Sequence, residues 1–208
     1  MFMADNKTSQ SGFALLVSLI VVSVVVSVGL VLLDVSIKQI RLSSNSTDSE
    51  IAFHAANAGM ECAQYWRRQQ SAAIQGDQFA TPSPIGSGGT MSGITCFDDP
   101  DGPQNVSDTG EASGSGDGEV HTYKYEFDWA SDDRCTEIDM VVVAADVFGN
   151  GMEATNMSDV NVIPGYPNST LDCPAGSFCT AISAKGYNRN CDQKDSFGTI
   201  ERDVLLEF

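Results

Sequence analysis

Basic side chains are scarce in this chain: 11 lysines and arginines stand against 28 aspartates and glutamates in 208 residues, a formal charge of −17. Such a surface lacks the cations that would neutralise a phosphate backbone and release its counterions, so no nucleic acid is expected as a partner. The one basic doublet is Arg67-Arg68. Histidine is just as sparse, with isolated residues at His54 and His121. No Cys-x2-Cys or His-x3-His spacing occurs, which argues against a structural zinc site or a dithiol redox pair. A G-x-S-x-G nucleophile elbow and a phosphate-cradling glycine loop with its lysine are also missing. These absences point away from an enzyme and from a cofactor.

Charge and proline are both missing from Phe13 to Leu33, the run FALLVSLIVVSVVVSVGLVLL, which ends at Asp34. As a helix it would reach ~30 Å, about the hydrocarbon thickness of a bilayer. A secretory signal has a shorter apolar core and a small-residue cleavage site after it. Here no such site follows Leu33, and a polar segment ending in Ser11-Gly12-Phe13 precedes the run. A leader cut before the apolar segment would leave the helix attached. Lys7 is the only basic residue before the span, and Lys38 and Arg41 lie just after it. A positive-inside count therefore does not favour an N-in orientation. The cysteines favour it. All six (Cys62, Cys96, Cys135, Cys173, Cys179 and Cys191) follow the span, and an even set in that position implies disulfides in an oxidising compartment. Spacing leaves the connectivity open. The expected arrangement is Cys62–Cys96, pinning a loop to a helix, Cys135–Cys191, tying two strands, and Cys173–Cys179, closing CPAGSFC.

Residues 35–70 read as a continuation of the helix. From Ile51 to Arg68 the polar residues His54, Asn57, Glu61, Gln64 and Arg68 form one stripe, spaced alternately three and four apart. Apart from Arg67 the remaining positions are apolar or small, so cover over most of the circumference is expected. Ala55, Gly59 and Ala63 fall four apart, a line along which a second layer can approach the backbone. Glycine costs ~1 kcal/mol against alanine within a helix, and close packing is a reason to keep it. The intervening RLSSNSTDSE is rich in poor helix formers, which predicts a weak or bent stretch.

Residues 71–119 read as a loop-rich acidic insertion, with PSPIGSGG, DDPDGP and GEASGSGDGE as turn formers. Asp98, Asp99, Asp101 and Asp108 offer hard oxygen ligands for calcium, but no D-x-D-x-D-G loop with a closing glutamate is present. A solvated acidic loop is the stronger reading, and no metal is expected. In residues 120–208 the period changes to two. Tyr123, Tyr125, Phe127 and Trp129 alternate with charged residues, and further strands are expected over Ile138 to Val147, from Asn150-Gly151 to a segment ending near Ile163, over Phe178 to Tyr187, and over Thr199 to Phe208. The expected class is α+β, with a long N-terminal helix, membrane-spanning in its first half, packed against an antiparallel sheet of four or five strands.

Two segments resemble a known family. Ser-Gly-Phe before a long apolar run resembles the processing site of type IV pilin-like proteins. Ala52-Phe53, Ala55-Ala56, Ala58-Gly59, Glu61 and Ala63 resemble the AF-x-AA-x-AG-x-E-x-A element of PilX-type minor pilins. The pair AISAKGYNRNC and GTIERDVLLEF is similar to the terminal strands of the same family. The resemblance implies a leader over residues 1–12, cleaved after Gly12 by prepilin peptidase, and N-methylation of Phe13. Residues 13–34 would then be a helix that leaves the inner membrane to pack with other pilin-like subunits. Val17 stands where the family usually carries glutamate, which by analogy points to a tip or initiating position rather than the shaft. Two other readings remain open: a type II secretion pseudopilin, and a permanently anchored bitopic domain that binds or adheres to a surface.

Overall fold

The computed structural model describes residues 11–69, 90–96, 103, 105–129 and 134–208. It begins with one helix, α1, over Ser11–Gln69, and the chain divides into two compact units after Thr47. In the first unit, residues 12–47 are exposed at every position. No proline or glycine occurs from Leu30 to Ala58, and α1 is unbroken through residues 41–50, where the poor helix formers cluster. The physical reason is cooperativity. Each poor helix former costs only a few tenths of a kcal/mol, whereas ending and restarting the helix requires a second costly nucleus.

The second unit, Asp48–Phe208, is α+β. Its main sheet has four antiparallel strands in the order β4–β5–β8–β9. They are β4 Gly118–Asp128, β5 Cys135–Ala145, β8 Phe178–Tyr187 and β9 Glu201–Glu207. β5 is buried on both faces, and alternation distributes its side chains between two cores. Ile138, Met140 and Val142 join Met60 and Ala63 of α1, Tyr123, Tyr125 and Phe127 of β4, and Ile182 of β8. Val141, Val143 and Ala145 face a second core with Ala154, Met157, Ile163, Leu171 and Ala181. That second core belongs to a three-stranded antiparallel sheet, β3–β6–β7, formed by Ser113–Gly116, Met152–Thr155 and Thr170–Cys173.

Three features differ from the sequence expectation. The described part of the 71–119 segment contains short strands: β1 Thr90–Ser92 pairs with β2 Asn105–Ser107, and β3 pairs with β6. Met91, Ile94 and Val106 of this segment are buried in the helix-side core. The Ser-Gly run of β3 forms a strand because its neighbours require small residues: a Cβ at Gly114 would collide with Met152 and meet Val120 at 2.7 Å. The segment after Asn150-Gly151 gives β6 to the second sheet, leaving the main sheet with four strands. The later turns of α1 are also less covered than expected, with Phe53 49% and Tyr65 56% exposed beside the polar stripe.

Two glycines bring α1 close to the main sheet. A Cβ at Gly186 of β8 would collide with the Ala52 carbonyl and the Ala56 amide. A Cβ at Gly59 would strike the Thr136 methyl and meet Ile138 Cδ1 at 3.2 Å. We expect Gly186→Val to destabilise the protein by about 3 kcal/mol, because backbone rather than a flexible side chain must move. Gly29→Ala, which meets nothing within 4 Å, should cost nothing. Urea unfolding of the full chain in detergent, followed by tryptophan fluorescence, checks both; equal midpoints for the two variants would contradict the close contact.

Candidate functional site

The sequence-predicted processing residues lie in the first turns of α1. Gly12 has open space around its Cα, and Phe13 and Val17 are 76% and 41% exposed. Residues before Ser11 lie outside the described residues. The uncharged run from Phe13 to Leu33 is long and apolar enough to cross a membrane, by length and composition. Its serines suit such a setting. The hydroxyls of Ser18, Ser23 and Ser27 donate to the carbonyls of Leu15, Ile20 and Ser23 at 2.7–2.8 Å, so none requires water. The first charges beyond the run, Asp34 and Lys38, pair with each other at 2.7 Å.

In the second unit Ala55, Gly59 and Ala63 all fall on the buried side of α1. The Thr136 hydroxyl completes the contact: it donates to the Ala55 carbonyl at 3.2 Å and accepts from Trp129 Nε1 at 3.0 Å. Arg67 and Arg68 do not form a shared basic face. Arg67 is buried, with Nε donating to Thr180 Oγ1 at 3.0 Å, and burial pulls its pKa down; Arg68 is exposed.

The three disulfides are Cys62–Cys96, Cys135–Cys191 and Cys173–Cys179, with Cα separations of 6.2, 4.7 and 5.6 Å. The first two close long loops, each removing roughly 3–4 kcal/mol of unfolded-chain entropy. Cys62–Cys96 works beside a hydrogen bond from Trp66 Nε1 to the Thr95 carbonyl at 3.0 Å, so α1 holds the segment after β1 twice. Cys135–Cys191 ties down the 188–200 loop, which Lys194 also grips by pairing with Glu126 and, at 3.0 Å, with Glu137. On the same sheet face Lys185 bridges Glu137 and Asp139, both at 3.1 Å, and Lys124 reaches Asp139 at 3.3 Å. Although burial opposes its charge, hydrogen bonds from Lys194 and Lys185 hold Glu137 below the ordinary carboxylate range.

Of the acidic residues weighed for calcium, Asp98, Asp99 and Asp101 lie outside the described residues. Asp108 is already engaged. Its carboxylate accepts from the Gly110 and Thr122 amides at 3.0 and 2.8 Å, and from His121 Nδ1 at 2.8 Å. Glu119 lies 3.2 Å from the other ring nitrogen of His121. Glu126, Cys135 and Cys191 are close enough together to suggest a metal trio, but the two sulfurs are bonded to each other.

Sequence reasoning missed the Asp108–His121–Glu119 group, because Asp108 approaches His121 across 13 residues. The available signal was a histidine at an inward position of an alternating strand, which needs a polar partner. Burial alone would lower the His121 pKa, but the Asp108 hydrogen bond and charge, followed by those of Glu119, raise it above 6.5. Burial would raise Asp108, yet its hydrogen bonds from His121, Thr122 and Gly110 bring it below 3.8. The His121 contribution to stability is thus complete below pH 6.5 and lost as pH rises through the folded value. That of Asp108 is complete above 3.8 and lost as pH falls through its lower folded value. The urea midpoint should accordingly drop as the pH rises above 6.5, and His121→Gln should reduce that drop. A drop of the same size in both proteins would contradict the assignment.

No family model, no curated protein and no solved structure matches this chain.

Proposed function

We propose that this chain is a minor pilin-like subunit of a type IV pilus, with a structural or assembly role at the tip or in initiation rather than a catalytic one. The observation that carries this reading is the division of labour along α1. Its uncharged first part is exposed throughout, and its last turns are built into an α+β unit. An apolar helix surface loses little on passing from lipid to a bundle of like helices, because neither environment supplies water. One segment can therefore serve first as an anchor and then as a polymer contact.

In this reading the precursor sits in the inner membrane with its ectodomain outside the cytoplasm, where the three disulfides form. Prepilin peptidase cleaves after Gly12, Phe13 is methylated, and the helix joins other pilin-like subunits at the cell surface. Val17 carries no charge to pair with a neighbour's amine, which supports a position outside the repeating shaft.

The test is Gly12→Val in cells that assemble the filament. The expected result is an uncleaved chain held in the membrane fraction and absent from sheared filaments. Normal appearance of the variant in filaments would sink the processing scheme. If the wild-type chain is itself never found in filaments, it is a pseudopilin or a permanently anchored bitopic domain.

A further inference from the structure

The three-stranded sheet and its turns have an unusual charge pattern. From Met140 to Ala184 the sequence contains no lysine, arginine or histidine, yet it contains Asp146, Glu153, Asp159 and Asp172. Glu153 and Asp172 are direct cross-strand partners on the exposed face of β6 and β7. Like charges placed opposite one another destabilise a strand pair. Among the described residues neither carboxylate has a salt-bridge partner. Both line an open groove of about 370 Å³, together with Ser115, Asn150, Met152 and Pro174.

Apolar side chains stand in the turn that leads into this groove. Phe148 is wholly exposed and Val147 53% exposed, in the turn that leads to Asn150. The turn is braced from several directions. The Asp117 carboxylate accepts from the Asn150 amide at 3.0 Å, and the Gly149 and Gly176 amides both donate to the Asp146 carbonyl at 3.3 and 3.1 Å. A Cβ at Gly149 would collide with the Asp117 side chain, and Gly151 holds φ +98° with the Cys173 carbonyl 2.8 Å from where its Cβ would be. An exposed aromatic side chain carried on a braced turn offers binding area with little backbone ordering left to pay.

We propose that this groove and the Phe148 turn form a docking surface for a basic segment of a partner protein, an extended stretch in which lysine or arginine adjoins an apolar residue. Charge complementarity selects that occupant. Opposed carboxylates with no base in the surrounding sequence call for a cation, and the exposed Phe148 and Pro174 call for an apolar side chain next to it. A second copy of this chain would bring a further −17 and is disfavoured by repulsion. The inference stands whether or not the helix is processed.

The test is fluorescence anisotropy with the labelled peptide Gly-Arg-Phe-Arg-Gly, on the full chain in uncharged detergent with empty micelles as the blank. Binding should be saturable. It should weaken about tenfold or more in Glu153→Gln/Asp172→Asn and, separately, in Phe148→Ser. A control of equal charge, Glu50→Gln/Glu61→Gln on α1, should change it less than about twofold. Lack of saturation, or equal losses in the two double variants, would overturn the proposal in favour of bulk charge. Calcium binding that needs Glu153 and Asp172, ignores Phe148 and displaces the peptide would also overturn it, by making a divalent cation the occupant.

Discussion

The second unit depends on how closely the last turns of α1 approach the main sheet. At Gly186 the strand backbone lies directly against the helix backbone at Ala52 and Ala56. At Gly59 the helix admits Thr136 and Ile138 from β5. With so little side-chain volume between the layers, Met60, Ala63, Tyr123, Ile138 and Ile182 can fill one continuous core. The Thr136 hydroxyl adds a directional link to the Ala55 carbonyl. Side chains at these two glycines would push the layers apart and open voids along the core, a cost that dense interiors feel strongly.

β5 carries the consequences outward. Because both of its faces are covered near Val141–Val143, it couples the helix-side core to the three-stranded sheet. Nearer its start, Glu137 and Asp139 face the other way and collect three lysines from β4, β8 and the 188–200 loop. Asp139 is buried, so removing both Lys124 and Lys185 would strand a charge, whereas the set together is satisfied. Disulfides fasten the places where loops cross between layers. The result is a unit that keeps its form through disulfides and close backbone contact.

Much of this architecture was legible in the residues. β8 coincides with the strand expected over Phe178 to Tyr187, and Ala55, Gly59 and Ala63, four apart in sequence, lie on the buried side of α1. What local patterning hides is long-range pairing. Ser113–Gly116 reads as a turn because it has no apolar side chains to alternate, and it becomes a strand because β6 offers it a partner. Asp108 reads as one acid among many until His121 comes within 2.8 Å of it. The helix through residues 41–50 rests on cooperativity, which a residue-by-residue count of propensities does not include.

The central claim is that α1 is a processed anchor that becomes a filament helix. Intact and peptide mass spectrometry of the membrane-extracted native chain tests it most directly. The account predicts an N-terminus at Phe13 bearing one added methyl group. A chain that retains Met1 would contradict it and leave a permanently anchored, disulfide-stapled surface domain.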